Sequence, residues 1–171
     1  TRKLITLQSG VALRPVDSNV WNALGQVQYK REQDSTLGAG LRRDESSWMA
    51  STHLNLQPSQ HWLLGARYAA RWATDRSGGL ESRSLTQLVG ARSTWDMTER
   101  IDLGLQAYRM WGNGAAQGAV GVEAGYLVWK NLWLSVGYNV KGFSAPDLAS
   151  EAYTQRGVYL LLRFKFDENL F

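Results

Sequence analysis

Two histidines, His53 and His61, are the natural proton-transfer groups of this chain, and there is no cysteine. A closed zinc site needs four ligands, usually cysteine or histidine in close spacing. A Ser–His–Asp arrangement needs histidine beside serine and a carboxylate. His53 falls on the polar side of an alternating segment, and His61 falls in a short turn. Neither lies near the longer loops, where a membrane protease or acyltransferase would gather its groups. The glycine fragments Gly38-Ala-Gly40, Gly112-Asn-Gly114 and Asp75-Arg-Ser-Gly-Gly79 read as loop tips, without the surroundings of a phosphate cradle. No catalytic, cofactor or metal site is expected.

The charged residues suggest a different chemistry. Arg14, Arg67, Arg71, Arg92, Lys141, Arg163 and Lys165 share one face with Asp102, Glu123 and Asp167, and with Gln26, Gln28 and Asn139. Enclosed in a narrow space, they must pair with one another, because an unpaired buried charge is expensive. Two outcomes stand: a structural network filling a closed interior, or an anion-attracting pore. The opposite face carries Trp21, Trp48, Trp62, Trp72, Trp95 and Tyr126, mostly near segment ends, where interfacial aromatic girdles belong. Trp129 and Trp133 are expected inward.

The elements that position these residues have a period of two. Leu132, Leu134, Val136, Tyr138 and Val140 oppose Trp133, Ser135, Gly137, Asn139 and Lys141. Val158, Leu160, Leu162, Phe164 and Phe166 oppose Tyr159, Leu161, Arg163, Lys165 and Asp167. Similar alternation runs through segments beginning near Ile5, Trp21, Trp48, Trp62, Ile101 and Val122, and is weakest from Ser84 to Met97. About nine strands result, each close to the roughly 9–11 residues that a tilted strand needs to cross a bilayer. Short connections are expected near Val16–Asn19, Gln57–Gln60, Thr98–Arg100 and Lys130–Asn131. Long ones are expected near Gln33–Ser47, Asp75–Ser82, Trp111–Gln117 and Ser144–Gln155. Such segregation is the up-and-down outer-membrane pattern.

Composition agrees. Across 171 residues, 17 glycines against 3 prolines suit long strands with small residues inside a tube, and 8 Trp with 7 Tyr suit a lipid–water boundary. No run of about 18 apolar residues supports a transmembrane helix. A net charge of +4 with scattered basic residues gives little reason to expect nucleic acid, but suits anionic headgroups. The alternation begins almost at Thr1, with no signal-peptide pattern before it, so residues 1–171 are expected to form one domain of a longer secreted chain.

Several segments resemble the C-terminal outer-membrane β-barrel domain of large multidomain Gram-negative surface proteins, a group often bearing repeat-type adhesin modules upstream. They are Asn131-Leu-Trp-Leu-Ser-Val-Gly-Tyr-Asn139, Gly142-Phe143, Tyr153-Thr-Gln-Arg-Gly-Val-Tyr159 and Leu162-Arg-Phe-Lys-Phe-Asp167. Weaker similarity extends through Leu13-Arg-Pro-Val-Asp17, Tyr68-Ala-Ala-Arg-Trp72 and Gly121-Val-Glu-Ala-Gly-Tyr126. The resemblance implies a barrel in the bacterial outer membrane and no catalytic residues. The terminal aromatic also looks like the signal read by the barrel-assembly machinery. Phe166 continues the apolar series, while Phe171 falls out of phase with it.

The expectation is an all-β, antiparallel up-and-down transmembrane barrel of about 8–10 strands. It would be a non-enzymatic anchor for a larger surface or secreted assembly, in contact with bilayer and lipopolysaccharide. The rivals are an outer-membrane pore or export channel, perhaps within a wider barrel, and a soluble lipocalin-like binder with its apolar face inward.

Overall fold

In the computed structural model the described residues, 2–17, 20–34, 43–143 and 155–164, contain no helix. They form β1 (Arg2–Leu13), β2 (Trp21–Asp34), β3 (Arg43–Ser59), β4 (Trp62–Ser77), β5 (Leu80–Thr98), β6 (Ile101–Gly112), β7 (Ala115–Trp129), β8 (Leu132–Lys141) and β9 (Gly157–Phe164). The order in the sheet is β1 to β9 without a crossover, and every neighbouring pair is antiparallel. The sheet is open: β1 and β9 are its edges.

The connections differ from expectation on one rim. Two of the four long loops are tight turns at the tips of extended hairpins. Gly78 and Gly79 close β4–β5, and Asn113 and Gly114 close β6–β7, all with positive φ. Such paired left-handed residues match the right-handed strand twist, which is why Asn-Gly and Gly-Gly occur here. The polar residues around them are strand, not loop: β4 continues to Ser77 and β5 starts at Leu80. Residues 35–42 and 144–154, the cores of the other two expected loops, lie outside the described residues.

The weakly alternating Ser84–Met97 segment lies inside the longest strand, the 19-residue β5. Its signal is faint because Gln87 and Ser93 interrupt one face and Leu88 the other. Gln87 is accommodated by its neighbour, since the Tyr68 hydroxyl donates to Gln87 Oε1 at 2.8 Å.

On the opposite rim the turns at 60–61, 99–100 and 130–131 are short. Adjacent hairpins are laced there by Gln57 N–H to Val20 O, Asp96 N–H to His61 O and Leu127 N–H to Arg100 O, at 2.6–2.8 Å. Register shifts at Leu56/Ser59, Asp96/Thr98 and Leu127/Trp129 fall beside these turns. The cross-strand row Leu64–Ser93–Leu105–Val122–Tyr138 shows the effect. It begins near the 60–61 turn and ends well away from the 130–131 turn. The drift is on the order of one residue per strand. With about 3.3 Å rise and 4.8 Å strand spacing, this inclines the strands by roughly 35° from the normal to the rim.

Above the other rim, the β2–β3 and β4–β5 hairpins carry exposed ion pairs. Arg31 Nη2 donates to Asp44 Oδ2 at 2.6 Å, and Gln33 adds a bond to the same oxygen. Arg76 and Arg83 converge on Glu81 at 2.9 and 2.7 Å. The Arg31 hydrogen bond, then that of Gln33, holds the Asp44 carboxyl below its ordinary value; Arg76 and then Arg83 do so for Glu81.

A depressed carboxyl stabilises fully above its ordinary pKa, and the contribution disappears as pH falls through the lowered folded value. Exposure keeps each contribution small. Acidification below about pH 4 is expected to loosen these two hairpin tips before the rest of the sheet. Amide exchange protection, corrected for intrinsic pH dependence, checks this. Asp44→Asn with Glu81→Gln removes the pH dependence, leaving the tips loose throughout.

Candidate membrane interface and polar interior

Strict alternation gives the sheet two unlike faces. On the convex side, β3 and β4 present Ala50, Thr52, Leu54, Leu64, Ala66, Tyr68 and Ala70, and β7 to β9 present Val122, Ala124, Leu134, Val136, Val158, Leu160 and Leu162. Most of the larger of these are exposed, Leu160 by 59% and Leu105 of β6 by 63%. A water-soluble sheet buries this face; here it points outward as one surface.

Two aromatic rows bound that surface. Tyr29, Trp48 and Trp72 are successive cross-strand partners on β2, β3 and β4, with the Tyr29 and Trp48 rings 4.9 Å apart. Near the short-turn rim, Trp62 and Trp95 pair and stack at 6.0 Å, Trp21 stands on β2, and Tyr126 faces Ile101 and Leu134. Trp62 and Trp72 share a face ten residues apart on β4. At about 3.3 Å per residue, foreshortened by the tilt, that is roughly 27 Å, close to the ~25 Å apolar band of an outer-membrane wall. Between the rows, no charged residue projects from the convex side of β2 to β5.

The concave side of β5 to β9 is polar and buried. Arg92 Nη2 donates to Glu123 Oε1 at 3.0 Å, and the Tyr159 hydroxyl donates to Glu123 Oε2 at 3.1 Å. Gln106 Nε2 reaches both Asn139 Oδ1 at 2.9 Å and the Tyr159 oxygen at 3.2 Å, and Asn139 Nδ2 donates to the Gln155 carbonyl at 2.9 Å. Buried polar groups persist only when satisfied in this manner. Asn139 is 0% exposed and Glu123 6%.

Several of these bonds skip a strand, and glycines make that reach feasible. A Cβ on Gly137 would fall 2.1 Å from the Tyr159 ring, one on Gly121 would meet the Asn139 carboxamide, and one on Gly125 the Asp102 carboxylate. Each side chain lies across a bare glycine to reach the strand beyond.

Nearer the other rim the interior is apolar: Ala69, Leu88, Ala119 and Phe143 cluster, with Met49, Tyr108 and Met110 packed against them. Between β3 and β6, His53, Asn55, Arg67, Arg92, Thr94 and Tyr108 line a recess of about 200 Å³.

The expected charge network therefore divides. Arg92 and Glu123 are joined; Asp102 is buried beside Gly125 and Ser135; Arg67 lines the recess; Arg71 pairs instead with Glu45 at 2.8 Å. Arg14 lies exposed beyond the end of β1. Lys141 leaves the concave face, because a bulge between Val120 and Gly121 pairs it with outward Val120. Trp129 is likewise turned by the Leu127/Trp129 register shift and is 75% exposed, whereas Trp133 is inward and buried. Arg163 and Phe164 are described by backbone only, paired with Trp133 and Leu132. Lys165, Phe166, Asp167 and Phe171 lie outside the described residues.

Gln106, Tyr159 and Ser135 were legible as polar-face residues but not as partners. The available signal was the glycines on the intervening strands. Among the described residues no group of three metal-type ligands occurs. No protein-family profile, curated protein or solved structure matches the chain.

Tyr159 joins the Glu123 and Gln106 parts of this network. Gly137→Ala is expected to push its ring off Glu123 and Gln106 and cost about 1–3 kcal/mol, the usual price of overpacking. Tyr159→Phe, which keeps the ring and loses both hydrogen bonds, should cost about 1 kcal/mol. Urea unfolding in detergent followed by tryptophan fluorescence measures both; equal midpoints for Gly137→Ala and the parent chain contradict the crossing geometry.

Proposed function

We propose that this chain forms the wall of a β-barrel in the bacterial outer membrane and serves as a non-enzymatic anchor for a larger surface or secreted assembly. The single observation that carries the reading is the inverted face distribution. An exposed apolar band about as tall as a hydrocarbon core, bordered by tryptophan and tyrosine, backs onto a buried polar interior. Each large apolar side chain covered by lipid instead of water contributes roughly 1.5–3 kcal/mol. Barrels also satisfy every backbone group, as a membrane demands. The residues proposed to face lipid include Leu132, Leu134, Val136, Tyr138, Val158, Leu160 and Leu162; the headgroup and lipopolysaccharide contacts fall to the two aromatic rows and the charged hairpins beyond them. On this reading the barrel-assembly machinery inserts the chain. The absence of a membrane-length helix says nothing against strands.

A channel is the second reading, favoured by the arginine-bearing recess. In the anchor reading the network and apolar cluster plug the interior, and planar-bilayer recordings show no steady open level.

Leu105 separates membrane from water. It stands midway between the rows and is 63% exposed, so in a soluble protein Leu105→Arg is nearly neutral. In a bilayer midplane it costs about 2–4 kcal/mol. The expected result is a marked loss of folded, urea-resistant protein in the outer-membrane fraction. Wild-type yield of the variant, or release of the parent chain into buffer without detergent, overturns the assignment.

A further inference from the structure

The two edges raise a question of direction. Alternate strands run oppositely, so in a sheet of nine, β1 and β9 run the same way. Pairing them directly gives a parallel seam. A ring of copies does no better: copies inserted from one side of a membrane share one orientation, so the β1 of one copy also meets the β9 of the next in parallel. Antiparallel pairing of β1 with a second β1 would need the two copies to span the membrane in opposite directions. An odd number of further strands is the arrangement that leaves every seam antiparallel.

Both edges are built to accept such strands. Soluble proteins blunt their edges with charges, prolines or bulges. Here Ile5, Leu7, Val11 and Leu13 on β1, and Val158, Leu160 and Leu162 on β9, continue the convex band to each edge. The interior is also unfinished on one side only. Residues 3–14 are exposed on both faces, whereas the concave residues of β6 to β8 are mostly buried.

Resting on the membrane reading above, we infer that the barrel is completed by an odd number of strands supplied by the polypeptide N-terminal to β1. The sheet's own rule selects that source: each strand neighbours the one before it in sequence, so the neighbour of β1 is the strand preceding it, joined by a hairpin at the rim of Gly78 and Asn113. The last added strand reaches β9 antiparallel. Each carries about 9–11 residues of alternating apolar and polar character, polar side facing Gln8, Gln26 and Gln28.

These 171 residues contain no cysteine, so introduced pairs can be tested in the full-length protein with any cysteine elsewhere in it replaced by serine. Strands that neighbour one another bring Cα atoms within disulfide reach, below about 7 Å, whereas strands two apart are separated by about 9.6 Å. Ser9→Cys with Val27→Cys, register partners on β1 and β2, is expected to cross-link in outer membranes. Combinations of Ile5→Cys, Leu7→Cys or Val11→Cys with Val158→Cys, Leu160→Cys or Leu162→Cys are expected to give none. Single cysteines scanned through the residues preceding β1 are expected to link to Leu7→Cys in some variants and to Leu160→Cys in others. A direct β1–β9 disulfide overturns the inference, within one chain as a parallel seam or between chains as a ring of copies. Stripping of the protein from membranes by urea instead sinks the membrane reading itself.

Discussion

The fold depends on the two-residue repeat of the extended backbone. Successive side chains point to opposite faces, so a one-residue slip would move every leucine of a strand to the wrong side. In this protein the two faces differ as much as faces can. Tyr68, Val122 or Leu160 turned inward would strand a bulky apolar group among Arg92, Glu123 and Asn139, and those polar groups would be thrown onto an uncharged surface. Register is therefore set across the whole sheet at once. The cross-strand row from Leu64 to Tyr138 stays on one face through five strands, although three register shifts interrupt these ladders. Those interruptions fall beside the turns or at strand ends, where a face change costs least.

The interior resolves a problem that the tilt creates. Strands inclined by roughly 35° curl the sheet and crowd its concave side, while Arg92 and Glu123, which pair there, stand on strands two apart. Glycine on the intervening strand settles both difficulties. With no Cβ at 121, 125 or 137, the side chains of Asn139, Asp102 and Tyr159 lie flat and reach one strand further. A hydrogen-bonded string then ties β5, β6, β7, β8 and β9 together independently of the backbone ladders. Low local dielectric strengthens such a string when every member is satisfied and penalises it heavily when one is lost.

Strand positions and faces were legible in the amino-acid sequence because alternation is a local property. Trp48, Trp62 and Trp95 were legible as girdle members, but not the pairs Trp62–Trp95 and Tyr29–Trp48, since their contact depends on register between distant segments. Loop lengths were misjudged at Asp75–Ser82, where strand ends beyond the apolar band become polar on both faces and look like loop, and at Trp111–Gln117, where small residues around Asn113-Gly114 give no alternation to read. Arg76, Glu81 and Arg83 belong to such overhangs. Lys141 and Trp129 were assigned by simple parity, which a bulge reverses without leaving a mark in composition. Arg92 and Glu123 were legible as charged residues of one face; their contact, and the part of Tyr159 and Gly137 in it, needed three dimensions.

The two halves of the sheet do not stand in the same relation to closure. From β5 to β9 a string of bonds touches every strand, and Leu88, Asn139, Asp102 and Ser135 are fully covered. The hairpins involved are formed between sequence neighbours, the kind of contact that costs the least chain entropy to make. From β1 to β3 the concave residues Gln8, Gln26, Gln28 and Asn55 stay partly or wholly open, and a side-chain bond from Asn55 to Asn22 joins β2 to β3 below the hairpin tips. The C-terminal half thus holds its polar interior by itself, whereas the N-terminal half has apolar side chains on one face and open amides on the other. On the proposed reading, that half gains its stability from lipid outside and from the strands that close the wall.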